Sequence, residues 1–329
     1  MTITVGMYEA SLAHIGDRLD ALGLDLRILP FDKNGAFQID GVATPPEQVD
    51  IDYFWLSSHI NAGGATVTAF DVALACKSIG VLQTFNAGLD NPVYKQISDK
   101  GTRICNSSAQ GVAIAEYTMA QVLSVTHPVA QQRAQQEARE WKITPFRELS
   151  RTHWLIVGYG PIGQETAKRA KAFGAGISVV RRSPETSDIV DKAGTMADLP
   201  TLLPEADIIV LACPLNETTR GFADADFFGA VKPGAILVNI ARGGLIDDAA
   251  LIAALDDGRV ETAILDVFHT EPLPTDDPLW AHPGVRLTPH TSFAGNGSQG
   301  RWDNLFLDNI TRFAKGEGLG QEVNPADLA

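Results

Sequence analysis

Trp154-Leu155-Ile156-Val157-Gly158-Tyr159-Gly160-Pro161-Ile162-Gly163 begins with four apolar residues and ends in three glycines spaced G-x-G-x-x-G. The apolar run reads as a buried strand. A helical pattern follows and predicts that Ile162, Ala167, Ala170 and Phe173 face inward. A second apolar run, Ile177-Ser178-Val179-Val180, closes the unit. In such a unit the first glycine permits the tight turn and the second lets a pyrophosphate approach the backbone. The third lets helix and strand pack closely. Free N–H groups at the helix start then face the phosphates. A loop whose glycines only turn the chain would lack the flanking strand and helix. The stretch therefore predicts a dinucleotide site of the Rossmann kind, with Gly158, Gly160, Pro161, Ile162 and Gly163 at the phosphates.

The second strand ends in Arg181-Arg182-Ser183, with no carboxylate. A site selective for NAD places Asp or Glu there to bond the ribose hydroxyls. Guanidinium groups instead bind a 2′-phosphate through charge-assisted hydrogen bonds. Residues 164–182 hold five basic residues and one acidic residue, in a chain of formal charge −14. Lys168, Arg169 and Lys171 read as the solvated face of the helix. Arg181, Arg182 and Ser183 predict NADP(H) as the preferred cofactor, with NAD(H) as the weaker one.

A chain of 329 residues predicts about two domains. The 45% hydrophobic content is ordinary for a globular protein. The acidic balance argues against nucleic acid as a partner. Cys76, Cys105 and Cys213 form no C-x-x-C pair and read as buried thiols of a reduced, cytoplasmic protein. Glu9 and Asp17 precede any long apolar run, so no signal peptide is expected, and no stretch reaches the length of a membrane helix.

Strand-like runs occur near 2–6, 25–30, 51–57, 81–84 and 103–105, with helical patterns near 9–23 and 66–79. Further strands are expected near 153–158, 177–181, 207–213, 235–240, 261–267 and 285–288. Alternating strands and helices predict an α/β protein with two doubly wound parallel sheets. A long helix is expected from about Gln110 to Glu140, buried over Ala115–Val125 and exposed in its Gln-rich end.

Three further motifs each follow an apolar strand. They are Val238-Asn239-Ile240-Ala241-Arg242-Gly243-Gly244, then Leu265-Asp266-Val267-Phe268-His269-Thr270-Glu271-Pro272, and finally Leu287-Thr288-Pro289-His290-Thr291-Ser292. Ligands of open α/β sheets bind at the C-terminal ends of strands. Arg242 suits a carboxylate, His290 suits proton exchange near neutral pH, and Glu271 suits orienting the ring. Each also has a bland reading: Arg242 as a cap on carbonyls, Glu271 as a turn residue, His290 as a satisfied core histidine. His59, His269 and His282 are assigned surface or packing roles. No cluster has metal-ligand spacing, so no metal is expected.

With these motifs in order, the chain resembles the D-isomer-specific 2-hydroxyacid dehydrogenase family. The likeness also takes in Asn86-Ala87-Gly88-Leu89-Asp90, Ala113 to Glu116, and Cys213-Pro214-Leu215-Asn216-Glu217-Thr218. The resemblance implies a flavodoxin-like substrate domain, 1–102 with 293–329, into which a Rossmann cofactor domain, 103–292, is inserted. It implies Arg242 as anchor for the substrate carboxylate and carbonyl, His290 as acid/base and Glu271 as its partner. Cys213, Pro214, Thr218, Ile240, Ala241, Arg242, Asp266, His290 and Ser292 join the glycine loop and Arg181 to Ser183 around the cofactor. Ser57 and Ser58, with Arg242 and His290, are expected at the substrate.

The expected activity is reduction of a 2-keto acid, glyoxylate or hydroxypyruvate, or oxidation of the matching 2-hydroxy acid. In formate dehydrogenases of the family Gln replaces the pairing Glu, so Glu271 argues for a hydroxy acid. Two alternatives stand beside this reading. One is NAD-dependent 3-phosphoglycerate oxidation, although residues 53–66 contain no Arg or Lys to hold a phosphate. The other is a non-catalytic, dinucleotide-sensing protein like the family's corepressors. The long linking helix, half apolar, predicts a homodimer.

Overall fold

The computed structural model describes residues 2–328. The chain divides into two compact units, Met1–Gln110 with Asn296–Ala329, and Gly111–Gly295. Each unit is built on a seven-stranded sheet.

The strands of the first unit are β1 (Ile3–Tyr8), β2 (Leu26–Phe31), β3 (Phe37–Ile39), β4 (Val42–Thr44), β5 (Asp50–Leu56), β6 (Ser78–Thr84) and β7 (Arg103–Cys105). Their order is β4-β3-β2-β1-β5-β6-β7. The five strands β2-β1-β5-β6-β7 are parallel. They follow the flavodoxin-like order, in which the strand sequence reverses between β1 and β5. The sheet is not wholly parallel: β3 and β4 pair antiparallel at its edge. Their hairpin turns at Asp40-Gly41, both at positive φ (52° and 79°). That is the backbone a two-residue hairpin needs and Asp-Gly supplies. Helix Ser298–Lys315 returns to this unit and brings Phe306 and Ile310, both fully buried, into a core with Val5, Tyr53 and Trp55. The rings of Trp55 and Phe306 stack 4.0 Å apart.

The second unit contains β8 (His153–Val157), β9 (Gly176–Val180), β10 (Lys192–Gly194), β11 (Ile208–Leu211), β12 (Ala235–Asn239), β13 (Val260–Leu265) and β14 (Val285–Leu287). All run parallel, in the order β10-β9-β8-β11-β12-β13-β14. Both faces are covered, so β11 and β12 are buried at every residue, as their continuous apolar sequences require.

Three expectations are corrected, and one strand is added. The helix expected over 110–140 is two helices, Gly111–Thr126 and Val129–Ala138. Pro128 lacks an N–H and pushes His127 away from helical backbone, so the chain breaks there. The first helix buries Ala115, Thr118, Met119 and Val122 within its own unit, beside helix Pro161–Ala172, while the second buries nothing. Phe173 does not face inward: it follows the last turn of its helix and is 47% exposed. The helix expected over 66–79 ends at Ala75, because Ser78 already belongs to β6. The short strand β10 was not anticipated; its three residues, Lys-Ala-Gly, carry no apolar pattern.

Candidate active site

The second unit presents its quoted motifs at one sheet edge. Gly158 follows β8 at φ 103°, and a Cβ there would meet the backbone of Ala212 and Cys213 just beyond β11. A Cβ on Gly163 would overlap the carbonyl oxygen of Gly158. At Gly160, by contrast, a Cβ would meet nothing within 4 Å. This is open space above the start of helix Pro161–Ala172, whose N-terminus has no side-chain cap. Uncapped N–H groups beside a clear backbone form a cradle for a phosphate anion. The residues present therefore fit the pyrophosphate of a dinucleotide.

Beside the cradle, Val157 pairs with Val180, and Gly158 N donates to Val180 O at 2.9 Å. This register brings Arg181, Arg182 and Ser183 to the glycine turn. The Arg181 guanidinium lies 5.7 Å from the centroid of the Tyr159 ring, and 4.0 Å from Glu185. Tyr159 as a platform for Arg181 was not foreseen. On the other side, the Cys213–Thr218 turn follows β11, with Cys213 buried and Pro214 and Thr218 exposed. Burial pushes the Cys213 thiol up to about 12, so it is no thiolate at neutral pH.

Ile240, Ala241 and Arg242 follow β12. Buried Asn239 shapes their turn: its amide donates to Arg242 O at 2.9 Å, and its carbonyl oxygen accepts from Ala241 N at 3.1 Å. Arg242 donates to Ala241 O at 2.6 Å. A Cβ on Gly243 would overlap Phe268, so only glycine lets this turn lie against the segment after β13.

His290 and Glu271 meet. His290 Nδ1 lies 2.7 Å from Glu271 Oε2, while Glu271 Oε1 accepts from Phe268 N at 3.0 Å. A carboxylate on Nδ1 places the proton there and leaves Nε2 for exchange. His290 sits at φ 48°, in the left-handed region, which costs a non-glycine residue about 1–2 kcal/mol. Fully buried Asp266 holds that turn: Oδ1 accepts from Thr288 Oγ1 at 2.5 Å and Thr291 N at 2.9 Å, and Oδ2 from Ser292 N at 2.9 Å. Tyr117 Oη lies 2.6 Å from Thr288 Oγ1. Burial pushes the Tyr117 hydroxyl up to about 12. Sequence reading gave Tyr117 and Asn239 no role.

In the first unit, Ser57 and Ser58 follow β5. The Ser57 side chain is fully buried and lies 2.6 Å from Ser11 Oγ, so its hydroxyl is already committed. Ser58 Oγ donates to Gln299 Oε1. His269 Nε2 lies 2.9 Å from Ile246 O at an exposed position, and His282 Nε2 lies 3.3 Å from Asp256 Oδ1 with its side chain mostly covered. Among the described residues, no group of three or more His, Cys, Asp or Glu is arranged to hold a metal, and no helix is long and apolar enough to cross a membrane.

Comparison with known proteins agrees with this edge. The sequence model of the D-isomer specific 2-hydroxyacid dehydrogenase NAD binding domain matches residues 119–292. The chain is 33% identical over 271 residues to D-3-phosphoglycerate dehydrogenase of Methanocaldococcus jannaschii, covering 80% of this chain and 51% of that one. It is 35% identical over 232 residues to hydroxypyruvate reductase of Thermotoga maritima, covering 69% and 74%. The chain thus spans about half the length of the phosphoglycerate dehydrogenases it matches. A D-isomer specific 2-hydroxyacid dehydrogenase from Xanthobacter autotrophicus, solved in complex with NADPH and MES, superposes with a TM-score of 0.76 at 26% identity, covering 99% of each chain. Its glycine cradle, its paired His290 and Glu271 and this family match together make the chain a member of the D-isomer specific 2-hydroxyacid dehydrogenase family.

Proposed function

We propose that the chain is an NADP(H)-preferring reductase of small 2-keto acids, of the glyoxylate or hydroxypyruvate type. The observation that carries this reading is the 2.7 Å bond between His290 Nδ1 and Glu271 Oε2 at the C-terminal edge of a dinucleotide-binding sheet. Gly158 to Gly163 hold the pyrophosphate, and Cys213, Pro214, Thr218, Ile240, Ala241, Asp266 and Ser292 line the rest of the cofactor's path. Arg181, Arg182 and Ser183 take the 2′-phosphate. When bound, the nicotinamide supplies the hydride.

Arg242 holds the substrate carboxylate. His290 delivers the proton from Nε2 to the carbonyl oxygen as it gains charge, and Glu271 fixes the ring and steadies the imidazolium. Oxidation of NADPH with glyoxylate or hydroxypyruvate, followed at 340 nm, tests the reading; no oxidation with any 2-keto acid removes it. The Methanocaldococcus relative's name favours a second reading, phosphoglycerate oxidation. The lack of Lys or Arg in residues 53–66 speaks against it.

We further propose a cytoplasmic homodimer. Three buried, free thiols support the compartment. The apolar face of the first linking helix is already covered, so the dimer surface moves to the segment after it, where Trp141 (104% exposed) and Ile143 (90%) stand out with Phe146.

A further inference from the structure

The segment after β13 carries Glu271, yet its own main chain does little to hold it. Asp266 N, at its start, donates to Asn239 O at 3.1 Å. Beyond that, no main-chain group of residues 267–270 bonds to main chain elsewhere among the described residues. Phe268 N donates to Glu271 Oε1 at 3.0 Å, inside the segment itself. Val267 is buried, but His269, Thr270 and Glu271 are exposed. The turn that carries Arg242 is held quite differently. Gly221 N donates to Gly244 O at 2.9 Å, Ala223 N to Leu245 O at 3.1 Å and Asp247 N to Ala223 O at 3.0 Å. Residues 244–247 are thereby stitched to 221–223, and Ile246 is buried. One partner is anchored and the other is tethered.

His269 joins the two. Its Nε2 lies 2.9 Å from Ile246 O. A carbonyl oxygen only accepts, so Nε2 carries a proton and donates. It donates whether the ring is neutral or charged, so the tie persists as pH changes. Asp248 Oδ1 is 3.7 Å from the same nitrogen, beyond hydrogen-bond reach. The main chains also meet here: a Cβ on Gly243 would lie 2.0 Å from the carbonyl carbon of Phe268. Gly243 permits the approach, and His269 secures it one residue further on. The His269 side chain is half exposed, so packing alone does not hold the ring in place.

We propose that His269 is a positioning residue: through Nε2 and Ile246 O it ties the segment carrying Glu271 to the Arg242 turn, and so keeps Glu271 on His290 Nδ1. This rests on the keto-acid reading above and adds a residue to its proton delivery. Arg242, His269, Glu271 and His290 all belong to the second unit. The asymmetry of the two segments sets the outcome. Without the tie, Glu271 is released while Arg242 keeps its turn, so turnover falls and substrate binding holds.

The test compares the wild type with His269→Ala, His269→Gln and Asp248→Asn. With NADPH and hydroxypyruvate, the Ala variant should lose about tenfold in kcat, since a small misplacement beside the reacting groups is enough for that. Its KM for either reactant should stay within about twofold. Gln, whose amide nitrogen reaches near the place of Nε2, should recover most of the loss. Asp248→Asn removes the nearby charge but not the tie, and should leave kcat within about twofold of the wild type. A second readout needs no turnover. Near pH 9, about where free imidazole is neutral, nitrogen NMR should show the wild-type His290 proton on Nδ1, where Glu271 holds it. The Ala variant should show a mixture of tautomers, and the Gln variant should not. An unchanged kcat or an unchanged His290 tautomer in the Ala variant overturns the proposal. So does a Gln variant no better than Ala, an Asp248→Asn variant that reproduces the loss, or a wild type with no preference for Nδ1. If the wild type reduces no 2-keto acid, the enzymatic reading falls and the tautomers alone decide. A mixture in Ala that Gln restores then supports the positioning role, and no change overturns it. If the Ala variant does not fold, His269→Asn, whose amide ends short of Nε2, carries the same comparison.

Discussion

The hydroxyl of Tyr117 lies 2.6 Å from that of Thr288, its neighbour across 171 positions of sequence. Thr288 Oγ1 has one proton and gives it to Asp266, which can only accept as a carboxylate. Tyr117 is therefore the donor, and the bonds run one way, from Tyr117 through Thr288 to Asp266. Asp266 in turn receives the main-chain N–H groups of Thr291 and Ser292 on either side of the turn that carries His290. Tyr117→Phe should cost about 1 kcal/mol, read as a drop of about 2–4 °C in thermal unfolding. Asp266→Asn should cost more, because one of its acceptor oxygens becomes a donor facing an N–H. An Asn variant as stable as the wild type would remove the network from the account.

His290→Asn tests proton delivery with little backbone disturbance, since Asn tolerates the left-handed conformation that His290 adopts. Turnover should fall by about 10²–10⁴-fold, with NADPH binding retained by fluorescence titration. Glu271→Gln should fall between this variant and the wild type. Near-normal turnover without the imidazole would refute its assignment.

Under the proposed reading, Arg181 and Arg182 are expected to set cofactor choice. Replacing either by Ala should weaken NADPH by about 1.5–3 kcal/mol for each charged hydrogen bond lost, and NADH far less. The comparison is kcat/KM for the two cofactors. Equal losses would show that the arginines serve the fold and not the 2′-phosphate.

All three cysteines are buried, and burial pushes each thiol up to about 12. The native protein should react slowly with a chromogenic disulfide at pH 8, and three thiols should appear at once in denaturant. A rapid native reaction would contradict the packing around Cys76, Cys105 or Cys213.

Half-buried His153 lies 2.7 Å from Ser178 Oγ, and burial lowers its pKa below the usual 6.5. The unfolded chain then takes up the proton first. The stabilisation is complete above pH 6.5 and is lost as pH falls from there through the folded value. His59 acts in the same direction. Unfolding temperature should decline below pH 6.5, and His153→Gln should flatten that decline. An unchanged slope would assign it to other groups.

Much of the second sheet was legible because its strands are buried on both faces and read as unbroken apolar runs, such as Ile236 to Val238. The glycines of the cradle were legible for a different reason: each answers a backbone demand that another residue cannot meet. The β3–β4 hairpin was missed despite Asp40-Gly41, since its strands are three residues long and half open to water. The break at Pro128 was in plain sight, but the apolar periodicity on one side and the Gln-rich run on the other concealed it. Tyr117, Asn239 and the His14–Asp303 pair were not legible. Their meaning lies in a partner or a turn that only the folded chain supplies; His14 and Asp303 are 289 positions apart.

Phe306 and Ile310 fill the core between Tyr53, Trp55 and β1, yet they are made after residues 111–295 have been synthesised. Arg103 and Gln83 likewise wait for Glu322 and Asn309. A nascent chain therefore completes its second unit first and carries an unfinished N-terminal sheet, with Trp55 lacking its stacking partner, until the closing helix leaves the ribosome. Vectorial synthesis thus leaves the N-terminal third of the chain, although the first to be made, waiting longest for the residues that close its core.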